Sequence, residues 1–233
     1  MKMIFKSLKP LDYVLWGSSV ILFVLTNVLL NSHNGLYTIA VIIGLTALIY
    51  TARGHVFGPL FMVIFSIVYS LISLSMDYHS EFITYGFMTL PMSIVALYAW
   101  LKNPNKQNQN EVQTVILTHK EWIHGAFLTL VITTGFGIIM FWLNTPNLAV
   151  STLSITTSFI AVYLIYKRSM FYALAYAANN IILIVLWAYA VRLDLAYLPI
   201  LMCFGLFFIY DIYGLMSWSK MTKNQLRYSS KSV

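Results

Sequence analysis

Apolar runs of about twenty residues, separated by short polar breaks, occupy most of the chain: 11–31, 35–52, 57–76, 82–101, 122–143, 147–166, 170–191 and 195–218. Each has the length a helix needs to cross a hydrocarbon layer of about 30 Å. The pattern therefore predicts an all-α integral membrane protein with eight transmembrane helices and little chain left over for a soluble domain. The first run follows Lys2, Lys6 and Lys9, as a secretory signal would. Its apolar stretch is long, however, and no small-x-small cleavage site follows before Asn31, so it reads as a retained helix.

Charge adds an orientation. Lys2, Lys6 and Lys9 precede the first run, Arg53 follows the second, and Lys102, Lys106 and Lys120 lie between the fourth and fifth. Lys167 and Arg168 follow the sixth, and Lys220, Lys223, Arg227 and Lys231 follow the eighth. These alternate loops hold 13 of the 14 basic residues; only Arg192 falls on the other side. The positive-inside rule puts the basic loops and both termini in the cytoplasm.

Composition excludes other classes. Hydrophobic residues make up 60% of the 233 positions and charged ones 9%, against about 45–50% and about 25% in an ordinary globular domain. Soluble enzymes, disordered tails and nucleic-acid modules do not fit, and the net charge of +7 labels topology rather than DNA binding. With Cys203 as the single cysteine, neither an internal disulfide nor a cysteine zinc site can form. There is no Walker loop, His-Glu-x-x-His motif or Gly-x-Ser-x-Gly elbow. No catalytic residue, cofactor or metal ligand is expected, and the lipid bilayer is the one obligatory partner.

Two short patterns recur. Leu48-Ile49-Tyr50 closes the second run and Leu164-Ile165-Tyr166 the sixth. The fourth ends with Leu97, Trp100 and Lys102, the eighth with Leu215, Trp218 and Lys220 at the same spacing. The repeats begin and end on the same sides, so they are parallel, a plan used by transporters that bind substrate near mid-membrane between two halves. The expected organisation is an extra N-terminal helix (1–34), a first three-helix bundle (35–102), a linker with a connecting helix (103–146), a second bundle (147–220) and a basic tail (221–233).

Polar residues inside a membrane are expensive and mark cavities or helix contacts. In the seventh run, Tyr176, Asn180, Leu183 and Trp187 share one helical face, with Asn179 beside them. Amides donate and accept, and phenol or indole rings offer stacking surfaces, which suits an uncharged solute with a planar ring and hydroxyls. Interhelical glue is the competing account of the asparagines. Asp211, beside Tyr210, is the carboxylate well inside a run. It is expected to make a hydrogen bond rather than relay protons, because no further buried carboxylate is evident. Tyr85 and Thr89, with Pro91 as a kink, and Tyr69 complete the candidate set; Glu81 lies on the Tyr85 stripe.

Thr51-Ala52-Arg53-Gly54, Phe65-Ser66-Ile67-Val68-Tyr69, Trp100-Leu101-Lys102, Ala175-Tyr176-Ala177-Ala178-Asn179-Asn180 and Asp211-Ile212-Tyr213-Gly214 resemble the PnuC family of bacterial vitamin transporters. The resemblance implies a 3+1+3 helix core related to the sugar-transporting SWEETs, in the bacterial cytoplasmic membrane. It implies facilitated diffusion of nicotinamide riboside or a related compound, trapped by a cytoplasmic kinase. Where riboside carriers have a Trp-rich segment, this chain has Phe171 to Tyr176, closer to deoxynucleoside-carrying relatives; thiamin and riboflavin relatives also exist. The expected cargo is nucleoside-like. Proton coupling through Asp211 and a non-transporting receptor or subunit stand as alternatives, and the sequence does not specify whether the protein is a homo-oligomer.

Overall fold

The computed structural model describes residues 8–29, 35–75, 79–145 and 148–230. Among them, eight helices are long and apolar enough to cross a membrane. The backbone solution follows from the solvent: lipid offers no hydrogen bonds, so each spanning segment satisfies its own N–H and C=O groups as a helix. In order these are α1 (Pro10–Leu29), α2 (Gly35–Ala52), α3 (Phe57–Ser75), a composite fourth span, α6 (His119–Trp142), α7 (Leu148–Tyr166), α8 (Tyr172–Leu193) and α9 (Leu198–Ser229). The fourth span joins α4 (His79–Ile83) to α5 (Leu90–Lys102) through a π-helical turn, Thr84–Thr89.

The kink expected at Pro91 takes the form of that π turn. Proline removes a donor and crowds the carbonyl a turn earlier, and the ladder widens just before it, with Leu90 N–H donating to Tyr85 O. The fifth span starts earlier than its apolar run because Thr118 and Glu121 form a reciprocal capping box. The eighth runs beyond the expected boundary at 220. Residues 219–229 stay helical because Met221, Thr222 and Gln225 bury one face, and Gln225 accepts from Thr114 N–H at 2.8 Å and donates to Val112 O at 3.1 Å. Residues 103–118 are thus a strap held against the helix end, closed by an antiparallel bridge between Pro104 and Val112.

Six spans form a closed ring. α2 packs on α3, α3 on α5, α5 on α7, α7 on α8, α8 on α9, and α9 returns to α2. α1 lies outside against α2 and α9, and α6 lies outside against α7. The two recurring Trp residues exchange partners across the ring. Trp100 Nε1 donates to Ile165 O at 3.0 Å, and Trp218 Nε1 donates to Thr51 O at 2.8 Å. Each belongs to one three-helix unit and bonds the end of the first helix of the other, a two-fold relation at the basic end of the molecule. The two indoles meet at 5.6 Å between centroids.

Candidate substrate site

The ring encloses a cavity where the polar positions of α8 and α9 meet. Asn179 and Asn180 are successive residues, about 100° apart around α8, so their amides serve different neighbours. Asn180 Nδ2 donates to Asp211 Oδ2 at 2.6 Å, tying α8 to α9. Asn179 Oδ1 accepts from Ser154 Oγ at 3.0 Å and Thr157 Oγ1 at 2.9 Å, tying α8 to α7. All three of Asn179, Asn180 and Asp211 are buried. Without these bonds the side chains would each carry a large desolvation penalty.

Tyr176, one turn before Asn180, lines the same cavity, as do Phe65 and Phe207. Tyr85 and Thr89 enter from the opposite wall. Both stand on the π turn, whose extra residue per loop rotates the helix face. Thr89 Oγ1 donates to Thr84 O at 3.1 Å. Tyr85 packs edge-on to Phe65 at 5.5 Å and to Tyr69 at 4.7 Å. Of the sequence-derived candidates, Tyr176, Asn179, Asn180, Asp211, Tyr85 and Thr89 converge here.

Three do not. Trp187 lies nearly two turns beyond Asn180 and packs on Tyr197 at 5.6 Å. Tyr210, 1% exposed, is embedded in the apolar core. Tyr69 stands behind the wall, donating from its hydroxyl to Glu81 Oε2 at 2.9 Å. Periodicity on one helix identified a shared face but not where along that face the opposite wall ends.

Sequence reasoning gave little weight to the hydroxyls of the sixth span, yet Ser154 and Thr157 orient Asn179 and Ser158 lines the cavity. Ser151, Ser154 and Ser158 recur at helical spacing, a signal that could have found them. Two further carboxylates are also placed inside. Asp12, in the first turn of α1, is fully buried. Glu81 lines a second cavity with Ser151, Ser154 and Met140. That cavity shares Thr84, Tyr85, Ser158 and Asn179 with the central one and lies on the side away from the basic end. Toward the basic end a smaller apolar cavity, with Met62, Met92, Val162 and Ile165, shares Tyr176 and Met62 with the central one. No Lys or Arg lines any of the three among the described residues.

A sequence profile described as "Nicotinamide mononucleotide transporter" matches residues 34–220, nearly the whole ring with its connecting helix. The chain belongs to the nicotinamide mononucleotide transporter family. It is 23% identical over 200 residues to the nicotinamide riboside transporter PnuC of Neisseria mucosa, covering 83% of this chain and 75% of that protein. A solved structure, the crystal structure of the vitamin B3 transporter PnuC, superposes with a TM-score of 0.78 at 20% identity, covering 95% of this chain and 96% of that one. The helical fold is therefore the fold of that transporter. The family makes this chain a membrane transporter rather than an enzyme, and with its eight spans a multi-pass protein of the bacterial inner membrane. In this member of the family, the matched region begins just before α2 and leaves out the whole of α1.

Proposed function

We propose that the protein carries a nucleoside-like solute, nicotinamide riboside foremost and a deoxynucleoside next, down its gradient into the cytoplasm. The basic end faces the cytoplasm under the positive-inside rule, and the Asn180–Asp211 pair binds the solute in mid-membrane. The observation that carries this reading is the central cavity itself. It offers amide, carboxylate and hydroxyl groups beside aromatic rings, and no Lys or Arg. Amides and hydroxyls match a carboxamide and a ribose, while Tyr85, Phe65 and Tyr176 give apolar surface for a planar ring. A phosphate is different: it is held by Arg, Lys or clustered backbone N–H groups, and here it would instead meet Asp211. The riboside fits and its phosphorylated form does not. Phosphorylation by a cytoplasmic kinase would then convert the cargo into a species the carrier cannot return.

Purified protein in liposomes should take up labelled nicotinamide riboside but not the mononucleotide. Asn180→Ala should reduce riboside uptake by roughly tenfold to a hundredfold, the scale of about 1.5–3 kcal/mol for a lost hydrogen bond that leaves a charged partner unmet. Wild-type uptake of the mononucleotide at the riboside rate would overturn the reading.

A further inference from the structure

The outer cavity has a chemistry of its own. Glu81 of α4 lines it with a carboxylate, and Ser151, Ser154 and Ser158 of α7 line it as well. Tyr69 holds Glu81 from behind at 2.9 Å, and Tyr69 is itself fixed by stacking on Phe65 at 5.2 Å and by edge contact with Tyr85 at 4.7 Å. The carboxylate is therefore positioned rather than mobile. It also lacks a counter-ion: among the described residues the ion pairs are Asp12 with Arg53 and Glu121 with Lys167. An unpaired carboxylate in such surroundings is costly, and a positively charged solute arriving in the cavity would offset that cost. Tyr85, which lines both cavities, places an aromatic ring beside the path of the same cation. The shared residues Thr84, Tyr85, Ser158 and Asn179 make the outer cavity an antechamber to the central one.

We propose that Glu81 forms an outer subsite that recognises the cationic pyridinium ring of a nicotinamide-type riboside before it passes to Asn180 and Asp211. The subsite rests on the riboside-transport reading and adds charge selection to it. Nicotinamide riboside carries a fixed positive charge on its ring nitrogen. Its reduced dihydro form has the same ribose and carboxamide and is neutral. Glu81 therefore adds to Asp211 a second charge discrimination between two compounds whose ribose and carboxamide meet the same central amides and hydroxyls. A residue that only steadied the start of the fourth span, where a carboxylate also favours the helix N-terminus, would not discriminate.

The test measures initial uptake of both compounds into liposomes containing the full chain, for wild type, Glu81→Gln, Glu81→Asp and Asn180→Ala. Glu81→Gln should lower uptake of the cationic riboside tenfold or more and change uptake of the dihydro form by less than twofold. Glu81→Asp should retain the preference for the cation, and Asn180→Ala should depress both compounds together. Equal loss of both compounds in Glu81→Gln, or no loss of either, overturns the subsite while leaving the transport reading intact. Failure of wild type to take up either compound overturns both.

Discussion

Asp12, in the first turn of α1, ties that outer helix to Arg53 after α2 and to Tyr213 of α9. In Lys9-Pro10-Leu11-Asp12 it looks like an acidic residue favouring the positive end of a helix, and Lys9 N–H does donate to it at 2.6 Å. The larger part of its role comes from far along the chain. Arg53 Nε donates to Asp12 Oδ2 and Arg53 Nη2 to Oδ1, both at 2.7 Å, and the Tyr213 hydroxyl closes the cluster against both side chains. Asp12 is wholly buried and the Arg53 side chain is 14% exposed, so this pair is far more shielded than a surface salt bridge. Removing one partner of a buried pair costs about 3–5 kcal/mol, because the other charge is left unmet. Asp12→Asn should therefore lower the thermal unfolding midpoint in detergent markedly, and Tyr213→Phe by a smaller amount. Unchanged midpoints in Asp12→Asn would show that the pair contributes nothing net. Asp211 and the two asparagines were legible because polarity inside an apolar run is visible locally. Asp12 and Glu81 sit at run ends, where acidic residues are ordinary, and only the third dimension gives them partners.

At the scale of elements, hydropathy located the spans closely and missed what happens at their joints. The capping box at Thr118, the π turn before Pro91 and the helical continuation to Ser229 all depend on hydrogen bonds or on one-sided burial at the membrane surface. The two outer helices use one device: a carboxylate in the first turn accepts from a backbone N–H three residues earlier, then pairs with the cation closing the next span. In α1 this is Asp12 with Arg53. In α6 it is Glu121, accepting from Thr118 N–H at 3.0 Å and pairing with Lys167 at 3.0 Å. The joint between α2 and α3 is set by close approach. A Cβ at Gly58 would sit 2.3 Å from Thr51 Oγ1 and 2.6 Å from Thr51 N, and the backbone there cannot swing away. Gly58→Ala should destabilise by about 1–3 kcal/mol or more through overpacking. Gly205→Ala, which meets nothing within 4 Å in α9, should be neutral or gain up to about 1 kcal/mol from helix propensity. Thermal unfolding of the two variants side by side checks the pair, and similar midpoints would refute the crowding at Gly58.

For the whole molecule, the charge pattern along the sequence already predicted parallel halves, because alternate loops carried the basic residues. What it could not give was the order of the ring or the way its halves are fastened. The central and outer cavities share lining residues, and beyond the small apolar cavity toward the basic end stand Trp100, Trp218 and Tyr172, all at or below 2% exposure. Tyr172 meets Trp218 edge-on at 5.0 Å. On the proposed route toward the basic end these rings separate, and the hydrogen bonds of Trp100 to Ile165 and Trp218 to Thr51 cross there from one three-helix unit to the other. Each such bond is worth about 1 kcal/mol net, so losing one should raise the population open at that end about fivefold, and losing both should multiply the effects. Trp100→Phe and Trp218→Phe keep a ring and remove the donor. With Cys203→Ser and a reporter Met62→Cys in the apolar cavity, a membrane-impermeant maleimide applied from the basic face should label each variant several times faster than the parent, and the double variant faster again. Labelling at the parent rate in all three would mean that packing of the rings, and not their two reciprocal hydrogen bonds, holds that end closed.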